Sequence, residues 1–170
     1  MGIASKALSW WMAPLLSVAG FAAGSNFPLA DAAQKQDKEA VRALLKQHVD
    51  VNAPQGDGST ALHWAAHWDD LDTASLLLGA AANVNAANDL GVTPLYLACA
   101  NGSAPMVEKL LAAGANANAV AATGVSPLMQ AARSGSVGAV QALLARGAKI
   151  EATENSAGQT ALMWAVSQRH

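Results

Sequence analysis

Among 170 residues there are one cysteine, one tyrosine and two phenylalanines, and only 13% of the chain is charged. A single cysteine excludes a disulfide framework, and no Cys/His spacing of a structural zinc site is present. A formal charge of −2 leaves no basic footprint, so the composition does not support nucleic acid as a partner. Catalytic constellations are missing too. No Ser-His-Asp, Cys-His or paired-carboxylate arrangement stands in a convincing context, and Gly56, Asp57 and Gly58 read as a turn rather than a phosphate loop. Aromatics amount to 5%, so packing must fall to Ala and Leu. Small side chains let thin helical layers approach closely, and the resulting core depends on many modest contacts. With 52% apolar residues the chain is otherwise an ordinary globular one.

What is present is repetition. The segments Gly58 to Ala66 (GSTALHWAA), Gly91 to Cys99 (GVTPLYLAC), Gly124 to Ala132 (GVSPLMQAA) and Gly158 to Val166 (GQTALMWAV) follow one another at offsets of 33, 33 and 34 residues. After each of the first three comes an apolar run: Ala74 to Leu78, Met106 to Leu111 and Val137 to Leu144. Asn-rich stretches begin at Asn83 and Asn116, with an altered copy at Lys149. A unit this short cannot enclose its own core, so each must bury its apolar face on its neighbours, and the period predicts a stacked solenoid. A weaker copy lies upstream. Leu29, Ala32, Ala33, Val41, Leu44, Leu45, Asp50, Val51 and Asn52 fall 33 residues before their counterparts in the next unit. Lys35, Lys38, Glu39, Arg42, Lys46 and Gln47 give its second helix the polar dressing of a terminal cap.

The Thr-Pro-Leu-His-like signature, the Val-x-x-Leu-Leu-like run and the Asn-rich turn resemble the ankyrin repeat, over about residues 29 to 170. The resemblance implies an all-α ankyrin-repeat solenoid of stacked helix pairs with β-turn fingers. The units expected are an N-terminal capping repeat at 25–54, repeats at 55–87, 88–120 and 121–154, and an incomplete repeat at 155–170. After the second helix the family places a left-handed Gly. The chain keeps it at Gly114 and Gly147 but has His48 and Ala81 at the aligned positions; alternatively the second unit ends its helix early, at Gly79, and leaves Ala81 in an ordinary conformation.

Residues that could carry chemistry have simpler structural readings. His63 and His67 are four apart on one helix, a metal-ligand spacing, but no third ligand of suitable spacing accompanies them. The resemblance implies instead that the His63 ring bonds near Thr60 and joins adjacent units. Asp69, Asp70 and Asp72 lack the alternating ligands and Gly of a calcium loop. Position 69 aligns with Gly102 and Gly135, and an Asp beside a helix start suits a cap. Cys99 falls on a small-residue slot shared with Ala66, Ala132 and Val166, and is expected to be buried and inert. Neither metal nor cofactor is expected.

What remains is a surface. The resemblance implies that a protein partner meets the fingers and the concave face of the first helices. The matching residues are Asp57, Ser59, His67 and Trp68; Asp89, Leu90, Val92 and Asn101; Thr123, Val125, Arg133 and Ser134; Gln159 and Gln168. Trp68 occupies a slot otherwise filled by Asn101, Ser134 and Gln168, and reads either as a binding anchor or as packing over the cap. Trp64 and Trp164 match Leu97 and Gln130 and read as core packing.

Both ends carry further expectations. Lys6 precedes an apolar stretch from Ala7 to Gly24 that contains Pro14 and ends in small residues, the pattern of a secretory signal peptide over residues 1–24 cleaved after Ala22 or Gly24. The alternative is an uncleaved anchor at 7–24, the one case in which a membrane is a partner. The expected location is secreted or periplasmic. Past the last signature there are only Ser167 to His170, so the fifth unit has a first helix without a second, and the natural protein is expected to continue. The expected function is therefore an exported, monomeric protein-binding module or adaptor without catalysis in this segment. The alternative is the targeting arm of a larger exported enzyme or receptor.

Overall fold

The structure, a computed structural model, describes residues 28–170. The segment read as signal peptide or anchor lies outside the described residues, as do positions 25–27 of the cap. Among the described residues the chain forms helices and turns without a strand, and no helix is long and apolar enough to cross a membrane. The helices are α1 (Pro28–Gln34), α2 (Lys38–Lys46), α3 (Ala61–His67), α4 (Leu71–Gly79), α5 (Pro94–Ala100), α6 (Ala104–Ala112), α7 (Pro127–Ser134), α8 (Val137–Ala145) and α9 (Ala161–Ser167). None exceeds nine residues, too short to persist alone in water, so their stability comes from stacking.

Helix starts are written into the repeat. Thr60, Thr93, Ser126 and Thr160 precede α3, α5, α7 and α9. The hydroxyls of Thr93, Ser126 and Thr160 accept the N–H three residues on, at 3.2, 3.2 and 3.4 Å. Pro94 and Pro127 follow at the first helical turn, where a missing N–H costs nothing. The second helices α2, α4, α6 and α8 start from Asp37, Asp70, Ser103 and Ser136, each accepting from the backbone inside its helix. Each such cap contributes about 1 kcal/mol.

Four leucines at one repeat position, Leu29, Leu62, Leu95 and Leu128, are buried in succession and belong to one core cluster that runs through all units. First helices form one layer, α1 on α3 on α5 on α7 on α9, and α8 packs on α6 in the second layer. Cys99 is enclosed as expected, and burial pushes its thiol up to about 12, which keeps it unreactive. On the cap, Lys38, Glu39, Arg42 and Lys46 lie on α2, whereas Lys35 sits in the turn after α1 and Gln47 closes α2. On the cap, the placement of these two differs from the sequence reading.

The turns are stitched from unit to unit. Asn52, Asn85 and Asn118 each accept, through Oδ1, a backbone N–H 31 residues ahead: Asn83 at 2.7 Å, Asn116 at 2.8 Å and Lys149 at 2.8 Å. Asn85 and Asn118 also donate to the carbonyls of Gly114 and Gly147. An amide side chain suits this position because it can accept and donate at once.

Candidate functional site

Each unit from residue 55 onward opens with a finger that reverses the chain ahead of its first helix. In the second finger Asn88 donates to the Val92 carbonyl at 3.0 Å and Gly91 to the Asn88 carbonyl at 2.8 Å. Gly91 is needed twice over: its φ is +70°, and a Cβ there would stand 3.1 Å from the Ala122 N of the next finger. One backbone bond joins each finger to the next, from Asp89 to the Asp57 carbonyl at 3.0 Å, Ala122 to Leu90 at 2.9 Å and Asn155 to Thr123 at 2.9 Å. The fingers thus form a continuous edge beside the first helices.

Side chains brace the fingers from within. Asp57 accepts from the N–H and the hydroxyl of Ser59, both at 2.9 Å, and the N–H bond holds its carboxyl below the usual range. Glu154, in the last finger, accepts from the N–H groups of Ser156 (2.6 Å), Ala157 (2.8 Å) and Gln159 (3.0 Å) as well as the Ser156 hydroxyl. These bonds, the Ser156 hydroxyl's foremost, lower its pKa to about 2. The sequence reading missed Glu154. The signal was the 34-residue offset, which places one extra residue in this finger.

His63 joins two units. The Thr60 N–H donates to Nδ1 at 3.1 Å, with the Thr60 hydroxyl 2.9 Å from the same nitrogen. Nδ1 is therefore an acceptor, and the ring proton sits on Nε2, which donates to the Val92 carbonyl at 3.0 Å. Burial pushes the pKa of His63 down. His67 does not join it: it is exposed, its ring edge-on to Trp64 at 5.8 Å and to Trp68 at 4.6 Å. Both ring nitrogens of His63 are engaged within the stack, whereas His67 faces solvent.

The Asp cluster has three separate roles. Asp69 takes the left-handed conformation, φ 55°, that Gly102 and Gly135 take at the aligned positions. Asp70 caps α4 through the N–H and hydroxyl of Thr73. Burial works against its charge, but these bonds and Lys38 at 2.9 Å outweigh it and lower its pKa. Asp72 lies 3.3 Å from the same lysine.

On the first-helix face, one row expected to meet a partner also stitches the stack. Trp68 Nε1 donates to the Gln34 carbonyl at 3.1 Å, Asn101 Nδ2 to the carbonyls of Ala66 and His67 at 3.1 and 2.7 Å, and the Ser134 hydroxyl to the Cys99 carbonyl at 3.0 Å. Each reaches back to the end of the preceding first helix, whose last carbonyls have no partner within the helix. Trp68 is 44% exposed nonetheless, so it both packs over the cap and faces solvent. Trp64 and Trp164 pack partly buried against the core; Trp64 donates to Gln55 Oε1 at 2.7 Å, and the guanidinium of Arg133 lies 5.9 Å from the Trp164 ring centroid.

Two expected surface residues turn inward: Ser59 and Val125 are buried, Ser59 held by Asp57 and Val125 within the core cluster. Val92 is half-buried. The exposed members are Asp57, His67, Trp68, Asp89, Leu90, Asn101, Thr123, Arg133, Gln159 and Gln168, with Ser134 half-buried. Leu90, at the tip of the second finger, is 67% exposed. The face therefore offers an aromatic near the cap, an apolar finger tip midway and Arg133 further on.

A family model described as "Ankyrin repeats (3 copies)" matches residues 13–88, 29–121 and 95–170, which together take in every described residue. No curated protein matches the chain.

Proposed function

The chain belongs to the ankyrin-repeat family, whose repeats generally mediate protein–protein interaction and are typically non-catalytic, and on that premise we propose an exported binding module that meets a protein partner with its fingers and first-helix face. The observation that carries the reading is Trp68. The residue is nearly half exposed while its indole N–H is tied to the Gln34 carbonyl, so the side chain is held before a partner arrives. A pre-positioned aromatic loses little rotamer freedom on binding, which is why such residues dominate interfaces. Leu90 and Arg133 extend the same surface, and Asp57 and Asp89 give its finger side a negative character.

Export is supported by the apolar run from Ala7 to Gly24 and by the position of α1. Cleavage after Ala22 or Gly24 leaves α1 and its buried Leu29 whole. The mature N-terminus is then Ala23 or Ser25. N-terminal sequencing of the exported protein tests this, and an intact Met1, or a start at Ala33 or beyond, overturns it.

The binding face is tested with a partner captured from the exported compartment. Trp68→Ala weakens it by about 2 kcal/mol or more, roughly thirtyfold, with folding largely kept. Unchanged affinity together with a large fall in thermal stability would make Trp68 a packing residue and sink the reading. Arg133→Ala acts chiefly on association rate and its salt dependence, as expected of a charge at the rim.

A further inference from the structure

One donor on the first-helix face has nothing to donate to. The indole N–H of Trp164 is closed off from solvent, and among the described residues it is the only buried side-chain nitrogen or oxygen without a hydrogen-bond partner. An unmade bond of this kind is costly, and native structures rarely keep one without a use for it. The aligned Trp64 shows what is missing, because it donates to Gln55 Oε1 at 2.7 Å. Glu154 holds the finger position that matches Gln55: its N–H donates to the Gln159 carbonyl as that of Gln55 donates to Ser59. Both carboxylate oxygens of Glu154, however, are taken by donors of its own turn. Beside the orphan N–H lies a pocket of about 210 Å³, lined by Arg133, Gln159, Trp164, Ser167 and Gln168. The Arg133 guanidinium stands over the Trp164 ring and makes no ion pair or hydrogen bond with the described residues. The Gln168 amide is tethered only to the Ser167 hydroxyl, at 3.5 Å. The same helix positions are open in mid-stack: His67, Ala100 and Arg133, the counterparts of Ser167, are exposed with a further unit beyond each. The opening therefore belongs to the step from α7 to α9.

We propose that this pocket takes the side-chain carboxylate of an Asp or Glu of the protein partner, one oxygen on the Trp164 N–H and the other on the Arg133 guanidinium; the proposal rests on the reading of this face as the one that meets a partner. Indole and guanidinium are donors only, so the ligand must present acceptors alone. A carboxylate has two, and its charge and planar geometry match the guanidinium fork. Arg133 and Gln168 are exposed, and exposed side chains turn within nanoseconds, which opens the way to the N–H. A partner that brings many phosphates fits less well, because it would press further negative charge on a surface that also carries Asp57 and Asp89. The two donors divide the work. Arg133 attracts the acid from outside and acts on association, whereas the Trp164 N–H bonds only an acid already seated and acts on dissociation.

The probe is blocked glutamate, N-acetylglutamate N-methylamide, titrated by NMR into the isotopically labelled full chain, with blocked glutamine as control. The indole resonance of Trp164 is assigned by its absence from Trp164→Phe. A saturable downfield shift of that proton is expected, with a dissociation constant on the order of 10 mM because a single charged contact is weak. Blocked glutamine should leave the resonance in place. Arg133→Gln should weaken binding about tenfold, and Trp164→Phe, followed at the Gln168 amide, about threefold or more. Absence of saturation, an equal response to glutamine, or unchanged binding in both variants overturns the proposal. So does a response to inorganic phosphate at lower concentration than to glutamate, because the ligand is then a free anion. Loss of partner affinity in Trp68→Ala alongside no response to glutamate refutes the carboxylate site alone. Unchanged partner affinity in Trp68→Ala with glutamate bound at Trp164 refutes the reading of the face and not the pocket.

Discussion

Ala81 stands where the chain needs a left-handed residue and does not use glycine. α4 ends at Gly79, but the turn continues through Ala81 at φ 64°, with Ala81 donating to the Leu78 carbonyl at 3.1 Å and Ala82 to Leu77 at 3.0 Å. The early end of the helix therefore does not release Ala81 into an ordinary conformation. Gly114 closes α6 in the same way, φ 92°, with matching bonds to Leu111 and Leu110. A Cβ in the left-handed region costs roughly 1–2 kcal/mol, while glycine gives back about 0.4–1 kcal/mol through the extra freedom of the unfolded chain. The difference predicts that Ala81→Gly stabilises the protein by about 0.5–1 kcal/mol. The exposed Ala81 methyl forfeits little burial. Gly114→Ala destabilises by a similar amount for purely conformational reasons, because no atom lies within 4 Å of the added Cβ. In thermal unfolding followed by circular dichroism, each kcal/mol moves the midpoint by about 2–4 °C. Urea titration gives the free energies, and an unchanged m-value shows that stability alone has changed. If Ala81→Gly is neutral or destabilising while Gly114→Ala is costly, the shared turn does not set the cost and the reasoning fails.

Two further expectations concern acid. His63 is held neutral, and its pKa lies below the usual 6.5, so the unfolded chain binds the extra proton first; stability is complete above about pH 6.5 and falls as pH drops below it. His63→Met, copying Met129 at the aligned position, where the sulfur accepts the Ser126 N–H, should flatten that part of the pH–stability curve; an unchanged slope refutes the assignment. Glu154 contributes stability that is present above about pH 4.5 and lost as pH falls toward 2. Glu154→Gln should remove that dependence and speed amide exchange at Ser156, Ala157 and Gln159; protection equal to the parent's at these amides would show that the carboxylate does not organise the finger.

Much of this was readable because a period of 33 residues turns one local solution into a rule. The turn at Asp69 followed from Gly102 and Gly135, the burial of Cys99 from Ala66 and Ala132, and the turn at Ala81 from Gly114. Each is a backbone or packing requirement met within one unit or at a shared slot, so alignment alone transmits it. What failed to transmit, His63 apart, was the use of side chains across units. Asn101 and Ser134 have polar, surface-compatible side chains, and nothing in their own helices says that their donors reach the last carbonyls of the helix before. Ser59 and Val125 sit at fingers whose sequences look exposed, yet the next finger closes over that edge by a backbone bond that no local pattern encodes.

The same row explains why Trp68 resisted a single reading. The slot it occupies is one whose side chain reaches back to the preceding helix, and Asn101 and Ser134 are short enough to be consumed by that task. A tryptophan there satisfies the requirement with its N–H alone and has most of a ring left over. The bond to Gln34 fixes the indole plane and leaves 44% of the residue in solvent. Structural use and partner binding are then not competing assignments for Trp68, because the stitch to the cap is what holds the ring ready. A substitution such as Trp68→Phe separates the two: it deletes the stitch and keeps an aromatic. If anchoring depends on the fixed orientation, Phe loses affinity mainly through ordering cost, so binding entropy becomes less favourable while the contacted area stays nearly the same.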